Sequence, residues 1–325
     1  MSNKILYFPY INVPDSAWFS RMLLYWDEVG AIIPYDYIAN PEKLNSHTRE
    51  LVQEGLIQQI IPSQYLWKIP NFRNAFTEYL TQLDINVLKN RRRAFIAQHM
   101  FKIHIEKMEG VERDLVELGL AKQIDYPWYY VEGDTAIEFM SYLAATLGKI
   151  NELDFAPTTD NISYLNKFVS ASESIITTER ILEELRLEVL NDILPAPTRS
   201  LSAFEIKHFK DTYYKDLKSF RNSIERELVL IADINNPELK KRRINLFKEE
   251  SSDQIELIVE AMEKSGFKNL SLTKIGTIVS AIPGINSLVG LANAVIQAFG
   301  KDDISRINPS FLYAAFAQKE LLIKS

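Results

Sequence analysis

The rhythm of hydrophobic and polar positions changes halfway along this chain. "ILYFPYI" reads as a first strand, and Asp15 caps a helix whose Trp18, Met22, Tyr25 and Trp26 share one face. "LVQEGLIQQI" at 51–60 matches "LVELGLAKQI" at 115–124 at six of ten positions, and "GAIIPYDY" at 30–37 is echoed by "IIPSQY" at 60–65. Each repeat predicts a helix, a glycine stop and a strand. Gly30, Gly55 and Gly119 are expected in the left-handed position after a helix, and Pro34 and Pro62 are expected to close strands. "FKIHIEK" at 101–107 alternates as a strand, "PWYYVE" at 127–132 is aromatic enough for another, and 135–150 predicts a helix buried along Ile137, Met140, Ala144 and Leu147. Such alternation favours a partly parallel sheet with flanking helices.

Beyond residue 160 the strand signals stop. After "PAPTRS" at 195–200, Ser202 and Glu205 form a capping box. The apolar positions that follow are Ile206, Phe209, Tyr213, Leu217, Phe220, Ile224, Leu228 and Ile231, every step three or four residues. One long helix over about 203–233 is the expectation. Asn236-Pro237 supplies a cap and a first-turn proline for a second, over about 237–265, and the short link makes an antiparallel hairpin. The expected fold is therefore α+β to α/β: an α/β domain over 1–160 and a mostly helical domain over 161–325.

The chain carries no charged residue from Ile275 to Gly300. In its second part Ile285, Leu288, Val289, Ala292, Val295, Ile296 and Phe299 share one helical face, while Asn286, Gly290, Asn293 and Gln297 form a polar stripe on another. Pro283-Gly284 divides the run. The fifteen residues after it reach about 22 Å as a helix, short of a hydrocarbon core of about 30 Å. An amphipathic helical pair over about 272–299 is expected, with Asn286, Asn293 and Gln297 as its interaction surface. No constitutive transmembrane segment is expected, although polar stripes can line a lumen when copies assemble.

Composition narrows the picture. The 46% hydrophobic and 25% charged residues belong to a globular chain, and only 11 glycines in 325 residues agree with long helices. The absence of cysteine removes disulfides, thiolate-bound metals and a thiol nucleophile. Pro9 and Pro14 break the first apolar run, so no signal peptide is expected and the default location is cytoplasmic. A net charge of −6 disfavours an indiscriminate grip on nucleic acid. Two basic runs, Lys89 with Arg91, Arg92 and Arg93, and Lys240, Lys241, Arg242 and Arg243, are the candidate phosphate contacts; solvated helix faces are the competing reading.

Candidate chemistry is sparse. The glycine spacing excludes G-x-G-x-x-G and a P-loop, and there is no G-x-S-x-G or H-E-x-x-H, so no cofactor and no metal is expected. His99 and His104, five apart, cannot turn to one metal through local geometry. On a strand over 101–107, Lys102, His104 and Glu106 would share the polar face, and His104 with Glu106 could move a proton; a solvated strand face is the competing reading. Asp160, in "APTTDN", either lies in a ligand loop after the sheet or caps a helix starting near Ile162.

Taken together, "ILYFPYINVPDSAWFSRMLLYWDEVGAIIP", "TAIEFMSYLAATLG" followed by "PTTD", and "LPAPTRSLSAFEIKHFKDTYYKDLKSFRNSIE" resemble an uncharacterised bacterial protein family of similar length, over most of residues 4–232. The resemblance implies a bacterial, full-length single chain. It transfers no activity and no catalytic residue. The resulting expectation is an interaction or effector protein acting on a protein partner or a second copy through helical surfaces. A nuclease or other hydrolase acting on nucleic acid is the alternative, and a conditional membrane-acting toxin, in phage defence, a second one.

Overall fold

A computed structural model describes residues 3–161, 164, 173–194, 201–264 and 307–321. The chain forms two compact units, one of Met1–Asp15 with Trp26–Arg180, the other of Ser16–Tyr25 with Ile181–Ser325. The boundary thus falls near 180 instead of 160, and the first helix is counted with the helical unit.

In the first unit, β1 (Lys4–Tyr7), β2 (Glu28–Ile32), β3 (Ile57–Ile60) and, much later, β7 (Ala156–Thr158) build a four-stranded sheet in the order β3-β2-β1-β7, with every pair parallel. The sequence between supplies β4 (Met100–His104), β5 (Ala121–Gln123) and β6 (Trp128–Glu132), which pair antiparallel as a separate sheet, β4-β6-β5. The parallel and antiparallel strands therefore occupy two sheets. The peptides before Pro9 and Pro127 are cis.

The internal repeat has a physical basis. Helix α3 (Ser46–Gln53) ends at Gly55, and a later helix (Val111–Glu117) at Gly119, with φ of 71° and 69°. In both, the N–H after the glycine reaches back five residues, Leu56 to the Leu51 carbonyl and Leu120 to the Leu115 carbonyl, and the chain passes straight into a strand. This is the helix stop in which glycine avoids the left-handed penalty. Gly30 differs. It lies inside β2 opposite Leu6, and a Cβ there would meet Phe155, Ile60 and Leu6 at 3.1–3.2 Å, so close packing and not a helix stop requires glycine.

Between α3 and β7 the chain forms α4 (Phe72–Thr81), α5 (Ile85–Ile96), α6 (Val111–Glu117) and α7 (Gly133–Gly148), after the one-turn α2 (Asp36–Ala39). In the first unit an apolar cluster brings Leu6, Phe8, Ile32 and Ile60 together with Phe76, Phe139, Met140 and Leu143. Helix α7 runs through it, and its predicted stripe of Ile137, Met140, Ala144 and Leu147 is buried. Glu132 caps it, accepting from Asp134 N–H and Thr135 N–H at 3.1 and 2.9 Å. Arg91 of α5 clasps Glu138 of α7 with two bonds of 2.7 Å.

The second unit is helical: α1 (Ala17–Tyr25), α8 (Glu173–Ile193) from Ile181 onward, α9 (Ala203–Thr212), α10 (Tyr214–Ala232), α11 (Pro237–Lys264) and α12 (Leu312–Glu320). Ser16, not Asp15, caps α1, its hydroxyl accepting from Phe19 N–H at 3.2 Å. The capping box of Ser202 with Glu205 is present, and Asn236 accepts from Glu238 and Leu239 N–H. The helix expected over 203–233 is interrupted at Tyr213, whose φ of −109° and ψ of 26° leave the helical region. Its stripe nevertheless stays in register, and all eight apolar positions from Ile206 to Ile231 are buried. Arg243 of α11 bonds Glu227 of α10 at 2.5 Å across the short turn, as a folded-back pair requires. Arg186 binds Glu225 at 2.7 and 2.8 Å and also Glu183, while Tyr25 OH donates to Glu225 at 2.7 Å. The amphipathic pair expected over 272–299, with Asn286, Asn293 and Gln297, lies outside the described residues. Among the described residues no helix is long and apolar enough to cross a membrane.

Candidate functional site

The order β3-β2-β1-β7 reverses direction at β1. The chain first steps from β1 to β2 and β3, and later adds β7 on the other side. In open parallel sheets the loops leaving the carboxyl ends of strands at such a reversal splay apart and leave a crevice. Here those loops are Phe8–Asn12 after β1 and Thr159–Asn161 after β7.

A cavity of about 470 Å³ opens against the first of them. Pro9, Tyr10, Ile11 and Asn12 form one wall, Phe101 to His104 of β4 and Trp128 of β6 a second, and Ala136, Ile137 and Met140 of α7 an apolar floor; Tyr37 and Lys107 complete it. Its volume and its mixture of apolar wall with few polar groups are those of a small-molecule site.

Strand β4 ends at His104, and Ile105–Lys107 follow as a turn of 3-10 helix. The solvated strand face expected over 101–107 is thereby corrected. Lys102 is exposed and holds its ammonium 4.4 Å from the centre of the Trp128 ring, whereas His104 is buried, edge-on to Trp128 at 5.0 Å and to Tyr37 at 6.4 Å. His104 Nδ1 accepts from Glu106 N–H at 3.3 Å, which assigns the ring proton of the neutral form to Nε2. That Nε2 is buried and has no hydrogen-bond partner among the described residues. Burial holds the imidazole below its usual pKa; Glu106 and Asp36 oppose that shift, and Lys107 and Lys43 reinforce it. Glu106 spends its carboxylate on Tyr35 N–H at 2.6 Å.

The turn brings in a residue that the alternating pattern did not single out. Lys107 is 2% exposed, and its Nζ donates to the Pro9 carbonyl at 3.3 Å. Among the described residues no carboxylate pairs with it. Burial alone lowers its pKa from the ordinary 10.5 to about 7. The cavity wall therefore holds two buried nitrogen donors, Lys107 Nζ with one acceptor and His104 Nε2 with none. Such groups cost free energy unless something accepts from them.

Asp160 is exposed beside the other loop, where Tyr7 OH donates to it at 3.4 Å. Tyr7 is pushed far above its usual pKa by burial first and by the Asp160 charge second; Tyr10 is pushed up to about 12 by burial first and then by the neighbouring Tyr164 hydroxyl. Asp160 and His104 thus flank the same β1 loop. Whether Asp160 caps a helix at Ile162 lies outside the described residues.

The basic runs are divided. Arg91 is buried in its pair with Glu138, Arg92 Nε donates to the Leu118 carbonyl at 2.7 Å and Arg243 holds Glu227, so these three guanidiniums are engaged within the fold. Lys89, Arg93, Lys241 and Arg242 are exposed and Lys240 is half-buried. Among the described residues no group of three or more carboxylate or imidazole side chains is placed to hold a metal. No protein-family model, curated protein or solved structure matches the chain.

Proposed function

We propose that the first unit is a binding site for a small organic molecule that presents a carbonyl or carboxylate oxygen to Lys107 and His104 and an apolar, planar part to Phe101, Ile137, Met140 and Trp128. One observation carries the reading: two buried, under-used nitrogen donors, Lys107 Nζ and His104 Nε2, belong to residues that line one cavity with a largely apolar floor. An acceptor oxygen would satisfy the orphaned His104 Nε2–H and add a second bond at Lys107, recovering desolvation that both already suffer.

The expectation of an interaction or effector protein draws less from the fold. The Ile206–Ile231 stripe that suggested a partner face is consumed in the core of the second unit, and the amide stripe at 285–299 lies outside the described residues. Nucleic-acid hydrolysis keeps only part of its basic surface, since Arg91 and Arg243 are committed to ion pairs.

The test is calorimetric titration of the full chain with 3-phenylpropionate, phenylpyruvate and pyruvate. Saturable binding of a phenyl-bearing acid, weakened at least tenfold by Ile137→Trp, is the expected result. Ile137 borders the cavity floor, so the larger side chain occupies the ligand's place. No binding of any of the three, or binding indifferent to Ile137→Trp, would overturn the reading.

A further inference from the structure

Resting on that reading, we infer that Lys107 is a covalent site, whose amine condenses with the carbonyl carbon of an aldehyde or ketone held in the cavity to form an imine. Three features of the geometry support it. Lys107 is one of the residues lining the cavity, and its Nζ is held at the Pro9 carbonyl of the loop that forms one cavity wall. Among the described residues its one bond is the donation to the Pro9 carbonyl at 3.3 Å, which leaves the nitrogen lone pair of the neutral amine without an acceptor role there. Among the described residues no carboxylate answers it, so the neutral form is not penalised by the loss of an ion pair. A lysine in such surroundings is the activated kind, nucleophilic at neutral pH where solvated lysines are protonated.

The step balances without a co-reactant. The amine lone pair attacks the carbonyl carbon, forming a C–N bond while the π pair moves to oxygen. A proton passes from nitrogen to that oxygen, giving a carbinolamine. The C–O bond then breaks, the oxygen leaves as water with the second nitrogen proton, and a C=N bond remains. His104 Nε2–H is the positioning donor for the oxygen, because its residue lines the same cavity and among the described residues it has no acceptor.

The experiment uses the full chain, phenylpyruvate and cyanoborohydride, which reduces an imine to a stable secondary amine. Peptide mass mapping reads the adduct at every lysine. Lys107 is expected to be labelled at least tenfold faster than exposed Lys89 or Lys241, with a rate that is half-maximal near pH 7 and suppressed by 3-phenylpropionate, which has the same skeleton without the ketone. His104→Phe is expected to slow labelling while leaving the neutral-pH midpoint in place. Binding of 3-phenylpropionate with no faster labelling at Lys107 would overturn the imine and leave the binding site standing. Failure of both acids to bind would overturn both. Because the decisive comparison is among lysines of the unaltered chain, misfolding of a variant does not affect it.

Discussion

Lys107 Nζ sits 3.3 Å from the Pro9 carbonyl, tying the turn after β4 to the loop after β1 without a neutralising carboxylate. The burial of this ammonium, and not its contact with the carbonyl, makes the fold pH-sensitive. An unfolded lysine titrates near its ordinary 10.5, the folded one near about 7. Below pH 7 both states carry the charge and the folded state bears the full cost of burying it. Between pH 7 and 10.5 the unfolded chain binds the extra proton, so this group's contribution to stability rises with pH. Lys107→Met is therefore expected to stabilise the first unit by roughly 3 kcal/mol at pH 6. Urea unfolding at pH 6, 8 and 10 reads it, and an advantage of the variant that failed to shrink toward pH 10 would contradict the account. Lys102, His104, Tyr10 and Tyr37 are the other titratable residues lining the cavity.

The Arg91–Glu138 clasp makes a different prediction. Both side chains are about nine-tenths buried and bonded twice, so removing one partner strands a charge. Arg91→Met is expected to cost about 3 kcal/mol, and the double variant Arg91→Met with Glu138→Leu to regain most of it. Equal losses in the single and double variants would mean that packing, not the orphaned charge, dominates. The clasp also bears on the basic run, since Arg91 can meet a phosphate only by abandoning Glu138.

The helical half was the more legible in the sequence, because each of its signals is local. The capping box at Ser202, the Asn236 cap and the Ile206–Ile231 stripe depend on neighbours within a turn or two, and all three stand in the structure. What escaped was the break at Tyr213, which keeps the stripe in phase and so leaves no mark on periodicity. In the other half the two echoed glycine stops were legible. Their destinations were not: the same helix-glycine-strand path ends in a parallel sheet at β3 and an antiparallel one at β5, a choice made by partners far along the chain. Strand β7 is three residues long and reads as a loop. The cavity was half legible. His104 stood out as a residue type, but Lys107 falls on the apolar parity of Phe101, Ile103 and Ile105, and a lysine at an apolar position was the signal that the alternation itself offered.

The turn from α7 into β7 has almost no room. A Cβ on Gly148 would lie 2.3 Å from the Phe155 carbonyl oxygen, a backbone atom that cannot move without shifting β7. Gly148→Ala is expected to cost about 2 kcal/mol or more. Because β7 pairs with β1 over Ile5–Tyr7, the damage should reach the β1 loop and weaken phenylpropionate binding as well. A variant as stable as the unaltered protein by thermal unfolding would show that the turn yields more easily than its geometry suggests.

In the second unit, Tyr213 OH donates to one oxygen of Glu320 at 2.5 Å, and the other oxygen is buried without a partner among the described residues. Burial raises the Glu320 carboxyl from 4.5 to about 7, with the tyrosine bond pulling the other way. Glu320 also closes α12, where the carbonyl end of a helix disfavours negative charge. At pH 4 the group is protonated in both states and contributes nothing. As pH rises from 4.5 to 7 the unfolded chain ionises first, and above 7 the folded state holds a costly carboxylate, so stability is lost across that window and stays lost beyond it. Glu320→Gln keeps a group that can accept from Tyr213 and removes the ionisation. It should be close to neutral at pH 4 and stabilising by about 2 kcal/mol at pH 8. Tyr213→Phe should act in the opposite sense, removing the one bond that favours the carboxylate and lowering stability most at pH 8. Thermal unfolding of the three proteins at both pH values reads the difference, and a Glu320→Gln effect of the same size at pH 4 and pH 8 would exclude ionisation as its cause.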